Sequence, residues 1–251
     1  MTRTRIEWVK NQDGKQGYTI NPIKGLCPVD CKDSQGKSYC YARRLYNRFG
    51  WNPEIRYEDP FYDFYALKNK SPSRVFVGST MELFGNFIRP EWIHNILGFC
   101  SAYPQHTFIF LTKRPENLIK WSPFPSNTYI GVSVCDDKML DVAVDKLEDI
   151  QASHKFISFE PLQKRITLSL DYACYYSGIS WAIIGAQSPY SKKTVPKWEW
   201  VREIIEACDK AGIPVFLKNN LRLPKYSCEG GTPFYKLHPS GTMELRQELP
   251  Q

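Results

Sequence analysis

The chain has 251 residues, 42% hydrophobic and 24% charged, a composition that suits a folded globular protein with the length for one sizeable core. No apolar run reaches the roughly 18 residues a bilayer span needs, and the start "MTRTRIEWVKNQDGK" lacks the apolar stretch of a signal peptide. A soluble cytoplasmic protein with no membrane partner is expected; its eight cysteines then read as metal ligands, catalytic groups or buried thiols rather than disulfides, and its net charge of +7 is compatible with a polyanionic partner.

In chain order, a short β-like "YTI" at 18–20 leads through "NPIKG" into "CPVDCKDSQGKSYCYARR" at 27–44, where Cys27, Cys31 and Cys40 follow one another at Cys-x3-Cys-x8-Cys spacing. Residues 45–73, rich in Tyr, Phe, Asn and Pro, form a long excursion. Six apolar, β-branched and aromatic runs come next: "RVFVGS" at 74–79, "TFIFLT" at 107–112, "TYIGVSV" at 128–134, "KFISF" at 155–159, "SWAIIG" at 180–185 and "IPVFLK" at 213–218. Such runs predict buried parallel strands. Helical spacing separates some of them, as in Leu140, Val144 and Leu147, or Trp198, Val201, Ile204, Ile205 and Cys208. The alternation predicts an α/β fold of βαβ units, either a barrel or an open sheet, as one domain over 1–251 with a C-terminal extension at 219–251.

In such folds ligands gather beyond the carboxyl ends of the strands. Polar residues stand there after run upon run: Ser79, Thr80 and Glu82; Lys113 and Arg114; Ser133; Glu160; Gln187; Lys218, Asn219 and Asn220. Glu160 lies between an apolar strand and Pro161, where a carboxylate is costly to hold alone, so Lys113, Arg114 or Lys218 is its expected partner. Lys113, Arg114 and Lys218 are equally candidates to meet an anionic substrate.

Three thiolates on a loop leaving a strand can hold three irons of a [4Fe–4S] cluster and leave the fourth iron open. They can also serve a zinc site whose fourth ligand is Asp30, a histidine or a remote cysteine, and spacing alone leaves the two readings even. Cys100, Cys135, Cys174, Cys208 and Cys228 form no tight pair and read as core or surface thiols. Arg43, Arg44 and Arg48 follow one another closely after the cysteine loop; solvated helix residues are the favoured reading over contact with a nucleic-acid backbone.

Without its inner stretch "DSQGKS", the loop reads "NPIKGLCPVDCKYCYARR". That resembles the signature of radical S-adenosylmethionine (SAM) enzymes of the spore-photoproduct-lyase-like kind, Cys-x3-Cys-x2-Cys with an aromatic before the third cysteine, the position Tyr39 fills. The six added residues are a departure from the pattern. The blocks "VFVGSTMELFG", "FIFLTKRPENL", "IGVSV", "FISFEPL", "WAIIGAQS" and "AGIPVFLKN" also resemble, in the same order, a phage-associated radical-SAM-like family of mostly unknown function, in which a carboxylate is common where Gln187 stands.

The resemblance implies a partial (β/α) barrel of about six or seven strands in the manner of a TIM barrel, a [4Fe–4S] cluster on Cys27, Cys31 and Cys40, and SAM as co-substrate. It implies that an electron from the cluster cleaves SAM to a 5′-deoxyadenosyl radical that abstracts hydrogen from a substrate. Tyr39, Ser79, Thr80, Glu82, Ser133 and Gln187 are thereby cofactor-binding candidates, and Glu160, Lys113, Arg114 and Lys218 catalytic candidates. The implied partners are a reductant protein such as flavodoxin or ferredoxin and a small-molecule or nucleotide substrate, with a nucleic-acid base or base-modification intermediate in view and nucleic acid open as a partner. The competing reading is a non-catalytic zinc-binding, nucleic-acid-binding protein.

Overall fold

The computed structural model describes residues 1–33, 35–167, 177–189, 191–224 and 233–250. The chain divides into two compact units, each of mixed α/β type: residues 1–132 with 149–155, and residues 133–148 with 156–251.

In the first unit, β1 (Thr2–Arg3) pairs antiparallel with β2 (Tyr18–Ile20). A two-residue strand, β3 (Ile23–Lys24), follows and leads through the cysteine loop to α1 (Tyr41–Phe49). In the excursion after α1, β4 (Arg56–Tyr57) returns to pair antiparallel with β3, and α2 (Phe61–Tyr65) precedes β5 (Arg74–Val77). Then come α3 (Pro90–Ala102), β6 (Thr107–Thr112), a 3-10 turn at Pro115–Trp121 and β7 (Thr128–Ser133).

Strands β2, β5, β6 and β7 lie side by side in chain order, all parallel. Every residue of β5 and β7 is buried, which is why their sequences run apolar without alternating. Helix α3 begins with Pro90 at its first turn, where a missing N–H costs nothing, and buries Ile93, Ile96 and Cys100 at spacings of three and four. Phe64 of α2 is fully buried, stacked on Phe99 at 5.0 Å and tilted against Phe108 at 5.3 Å, so the excursion is pinned into this core at one aromatic anchor.

The second unit contains α4 (Asp137–Glu148), β8 (His154–Phe159), β9 (Ile179–Ile184), α5 (Trp198–Lys210) and β10 (Val215–Leu217), with the strands again neighbours in chain order and β9 parallel to β10. Along α5, Val201, Ile204, Ile205, Ala207 and Cys208 are buried, while Trp198, expected on the same stripe, is exposed under Arg202 at 5.3 Å.

The C-terminal extension is integrated at the edge of this sheet. A hairpin of β11 (Tyr235–Leu237) and β12 (Met243–Leu245) runs into a stretch in which Leu217 N–H donates to Arg246 O at 2.8 Å and Glu248 N–H to Val215 O at 3.1 Å. The Arg246 guanidinium is buried and forks onto Asp209 at 2.7 and 3.0 Å, reaching Glu248 at 3.2 Å. The extension thereby satisfies backbone groups that β10 would otherwise present to solvent.

Among the described residues no helix is long and apolar enough to cross a membrane.

His106 shows how tightly the first unit is wired. Its buried ring accepts the Ser73 N–H at Nδ1, 3.1 Å, so Nε2 carries the proton and donates to Leu67 O at 3.0 Å. Burial pushes its pKa down, against the pull of the Leu67 carbonyl. A folded-state value below the ordinary ~6.5 means that the unfolded chain takes up the proton first, so this contribution to stability is complete above about pH 6.5 and is lost as pH falls towards the lower folded value. The His106 resonance followed by NMR titration in the folded protein should have its midpoint below about 6.5; a midpoint at or above that value would contradict the neutral, Nε2-protonated ring.

Candidate functional site

The cysteine loop is built from its two ends. At the first, Gly25 takes φ +116°, and a Cβ there would sit 2.5 Å from Glu54 O, so only glycine lets the strand leave β3 against the returning excursion. Its N–H donates to Tyr46 Oη at 2.7 Å, and Leu26 N–H to Pro53 O at 2.9 Å. At the second, Cys40 is the N-cap of α1, and its Sγ accepts the Arg43 N–H at 3.5 Å. The Arg43 side chain returns to the loop, donating to Cys27 O at 3.1 Å with Asp30 at 3.9 Å.

The insertion is closed as a small hairpin by the residues at its two ends. Lys32 and Ser38 bridge antiparallel; the Lys37 N–H meets the Asp33 side chain at 2.9 Å, and the Asp33 N–H meets Lys37 O at the same distance. The hairpin closes where Tyr39 N–H donates to Cys31 O at 2.9 Å. Cys40 is therefore returned beside Cys31, and the long spacing does not separate the thiols.

The three sulfurs act on one another. The Cys31 Sγ lies 4.0 Å from Val29 O; pairing with Cys40 raises the Cys31 thiol above its usual range, with burial adding to the rise and the charge of Lys113 opposing it. The same pairing lowers the Cys40 thiol, helped against burial by the Arg43 and Ala42 N–H groups and the Arg43 charge. Cys27 is buried, which raises its thiol, while N–H groups of Glu82 and Val29 pull the other way. Among the described residues no three His, Cys, Asp or Glu side chains surround a single ion position. Thiolates on a four-iron cluster each bind a different iron and need not converge on one point. Three mutually close thiols, two of them met by backbone N–H groups and one beside a lysine, fit such a cluster in donor type and in charge.

The ends of β5 and β6 lie beside this loop in the same unit. Ser79 Oγ and Thr80 N–H reach Asn21 Oδ1 at 3.1 and 3.3 Å, and Tyr41 Oη donates to Ser79 O. Glu82 is buried, and burial raises its pKa; its carboxylate is held by Thr112 Oγ1 at 2.5 Å, Phe84 N–H at 3.2 Å and Lys113 N–H at 2.7 Å. Glu82 thus ties β5 to β6 and fixes the backbone from which Lys113 projects. Its neighbour Arg114 is half exposed and faces Glu116 at 3.8 Å. Asn21 and Thr112 were not singled out from sequence, and only their place at the ends of strands marked them; Arg43, read from sequence as a solvated helix residue, turns back to the loop instead.

In the second unit, Ser133 is buried at the start of the connection to α4. Glu160 is paired with Lys218, side chains 23% and 15% exposed, over Gly185, where a Cβ would come within 2.9 Å of Lys218 Cδ. Asn220 grips Ala186 from both sides, Nδ2 donating to its carbonyl at 2.8 Å and Oδ1 accepting its N–H at 3.0 Å. Next to it, the buried Gln187 Oε1 has no hydrogen-bond partner among the described residues. Cys100, Cys135 and Cys208 are buried. Cys174 and Cys228 lie outside the described residues.

Residues 3–225 match a family described as protein of unknown function (DUF5131). The chain belongs to that family. No curated protein matches it. Among solved structures, this DUF5131 protein is similar to spore photoproduct lyase complexed with dinucleoside spore photoproduct, at 14% identity and a TM-score of 0.49 over 96% of this chain and 70% of that one. It is similar also to a variant of the lyase with bound AdoMet and the same dinucleoside, at 13% identity and a TM-score of 0.45 over 97% and 72%. Similarity at that level leaves the site to be argued from the chain's own residues.

Glu82→Gln places an amide N–H against donors that the carboxylate now accepts. It should lower stability by about 1–3 kcal/mol, read from the urea unfolding midpoint, whereas Arg114→Met, at the exposed pair, should change it by no more than about 0.5 kcal/mol. Equal effects would contradict the bracing role of Glu82.

Proposed function

We propose that this protein is a radical SAM enzyme with a [4Fe–4S] cluster on Cys27, Cys31 and Cys40. The observation that carries the reading is the hairpin closure at Tyr39 and Cys31, which assembles three mutually close thiols in the order of the signature that the loop resembles. Parallel strands adjacent in chain order within each unit support the partial (β/α)-barrel form of the fold.

When bound, the cluster and SAM would supply an electron and a 5′-deoxyadenosyl radical able to take a hydrogen atom from substrate. The chain's own residues hold and orient. The Arg43 N–H and the start of α1 favour thiolate over thiol at Cys40, and the Glu82 N–H offsets part of the burial that raises the Cys27 thiol. The Arg43 side chain fixes the Cys27 carbonyl, and Asn21 with Ser79 and Thr80 fixes the root of the loop. Lys113, its backbone set by Glu82, offsets negative charge beside Cys31 and is the residue we assign to an anionic group of SAM or substrate. Tyr39, Ser79 and Thr80 are assigned to SAM. The substrate class is a nucleotide or a nucleic-acid base, for which the net charge of +7 is the support. In the second unit Glu160 and Lys218 neutralise each other, which leaves their role as positioning residues.

Anaerobically reconstituted protein reduced with dithionite should convert SAM to 5′-deoxyadenosine and methionine, slowly without substrate, as followed by chromatography. The Cys27→Ala, Cys31→Ala, Cys40→Ala triple variant should make neither product. Absence of 5′-deoxyadenosine from fully loaded, reduced wild-type protein would overturn the catalytic reading.

A further inference from the structure

Helix α1 does more than end the cysteine loop. It carries three arginines and no acidic residue in nine positions, and Arg43 turns inward to the loop. Tyr41, Arg44 and Arg48, spaced three and four apart, share the exposed face. Tyr41 is tied at its hydroxyl to Ser79 O, so one end of this face stands at the carboxyl end of β5, beside the thiols.

The other end is an aromatic platform. Gly50 ends the helix in a left-handed turn at φ 61°, and Trp51 N–H returns to Tyr46 O at 3.3 Å. That turn lays Trp51 on Phe49, centroids 5.4 Å apart and planes 21° from parallel. Both rings are exposed, Phe49 by 54% and Trp51 by 47%, and Arg48 lies over Phe49 at 5.3 Å. Tyr46, buried and bonded to Gly25 N–H, backs Trp51 edge-on at 5.3 Å. The platform is thus fixed to the same loop that carries the cysteines.

Exposed stacked rings are poorly used by water, and a helix with three arginines and no acid in its own nine residues repels other basic surfaces. Guanidinium groups for phosphates alternating with flat rings for bases are the chemistry that binds an unpaired nucleic-acid strand. We propose that the outer face of α1, from Tyr41 through Arg44 and Arg48 to Phe49 and Trp51, docks single-stranded nucleic acid and leads it to the thiol loop. This rests on the radical SAM reading and deepens it, making the substrate a base within a polymer rather than a free nucleotide. A basic face would also attract an acidic electron-donor protein. The stacked rings, which such a transient polar contact does not need, favour the nucleic acid.

The test is fluorescence anisotropy of reconstituted protein with a labelled mixed-sequence oligonucleotide of about ten residues, single-stranded or duplex, at two salt concentrations. Single strands should bind more tightly than duplex, and more weakly at higher salt. Trp51→Ala should weaken binding about tenfold or more with unchanged iron content and unchanged thermal melting. Arg44→Met with Arg48→Met should weaken binding and flatten its salt dependence. Binding that is absent, or equal in Trp51→Ala and wild type, would overturn the proposal. So would loss in Trp51→Ala of binding to an acidic flavodoxin with no oligonucleotide bound, which would make the face a reductant dock. The oligonucleotide result and SAM cleavage are read separately: cleavage without strand binding sinks only this inference, and strand binding on α1 without cleavage sinks the catalytic reading and the strand's role as substrate, leaving the face as a nucleic-acid dock alone.

Discussion

One backbone hydrogen bond, from Tyr39 N–H to the Cys31 carbonyl at 2.9 Å, sets what the spacing of the cysteines means. Eight residues separate Cys31 from Cys40, enough extended chain to carry two thiols far apart. Because the inserted segment pairs with itself at Lys32 and Ser38 and turns at Gly36, it adds a projection without adding distance. Everything downstream depends on that closure: Cys40 caps α1, α1 presents Arg43 to the Cys27 carbonyl, and the Cys31 and Cys40 thiols come to act on one another. An insertion of this kind is cheap, since lengthening a surface loop costs little closure entropy once the ends are tied.

Within each unit, most polar residues at strand ends serve as internal wiring. Glu82 spends its carboxylate on Thr112, Phe84 and Lys113; Asn220 spends its amide on Ala186; Ser79 and Thr80 hold Asn21. Buried polar groups must be paired, and pairing them across neighbouring strands also fixes the loops that follow. Lys113 is the exception with chemical reach, since Glu82 holds its backbone and leaves its ammonium beside Cys31. Such division between groups that position and a few that act is what a site needs when the cofactor carries the difficult chemistry.

The strands were legible because parallel strands buried on both faces read as unbroken apolar runs, and "RVFV" and "TYIGVS" do so from end to end. Two-residue strands such as Ile23–Lys24 and Arg56–Tyr57 leave no periodicity to read, and they are defined by where the excursion returns. Helix α3 carried its signal, Pro90 followed by Ile93, Ile96 and Cys100, in a segment whose overall apolarity hid the stripe. Trp198 matched the spacing of α5 and still faces solvent, since periodicity tells which residues share a side and not how far a burial stripe extends. In the site, residue types sufficed to mark the cysteines, but not to separate Lys113 from Arg114: successive side chains leaving a strand point opposite ways, and one meets Cys31 while the other meets Glu116. The hairpin closure itself is made by main-chain atoms, which no side-chain pattern announces.

The claim that three thiols hold an iron–sulfur cluster with one iron open is tested most directly by iron, zinc and acid-labile sulfide content after anaerobic reconstitution, for wild type and for Cys40→Ala. The account predicts about four irons and four sulfides per wild-type chain, with both lost in the variant. One zinc per chain, no sulfide and unchanged metal in the Cys40→Ala protein would contradict it.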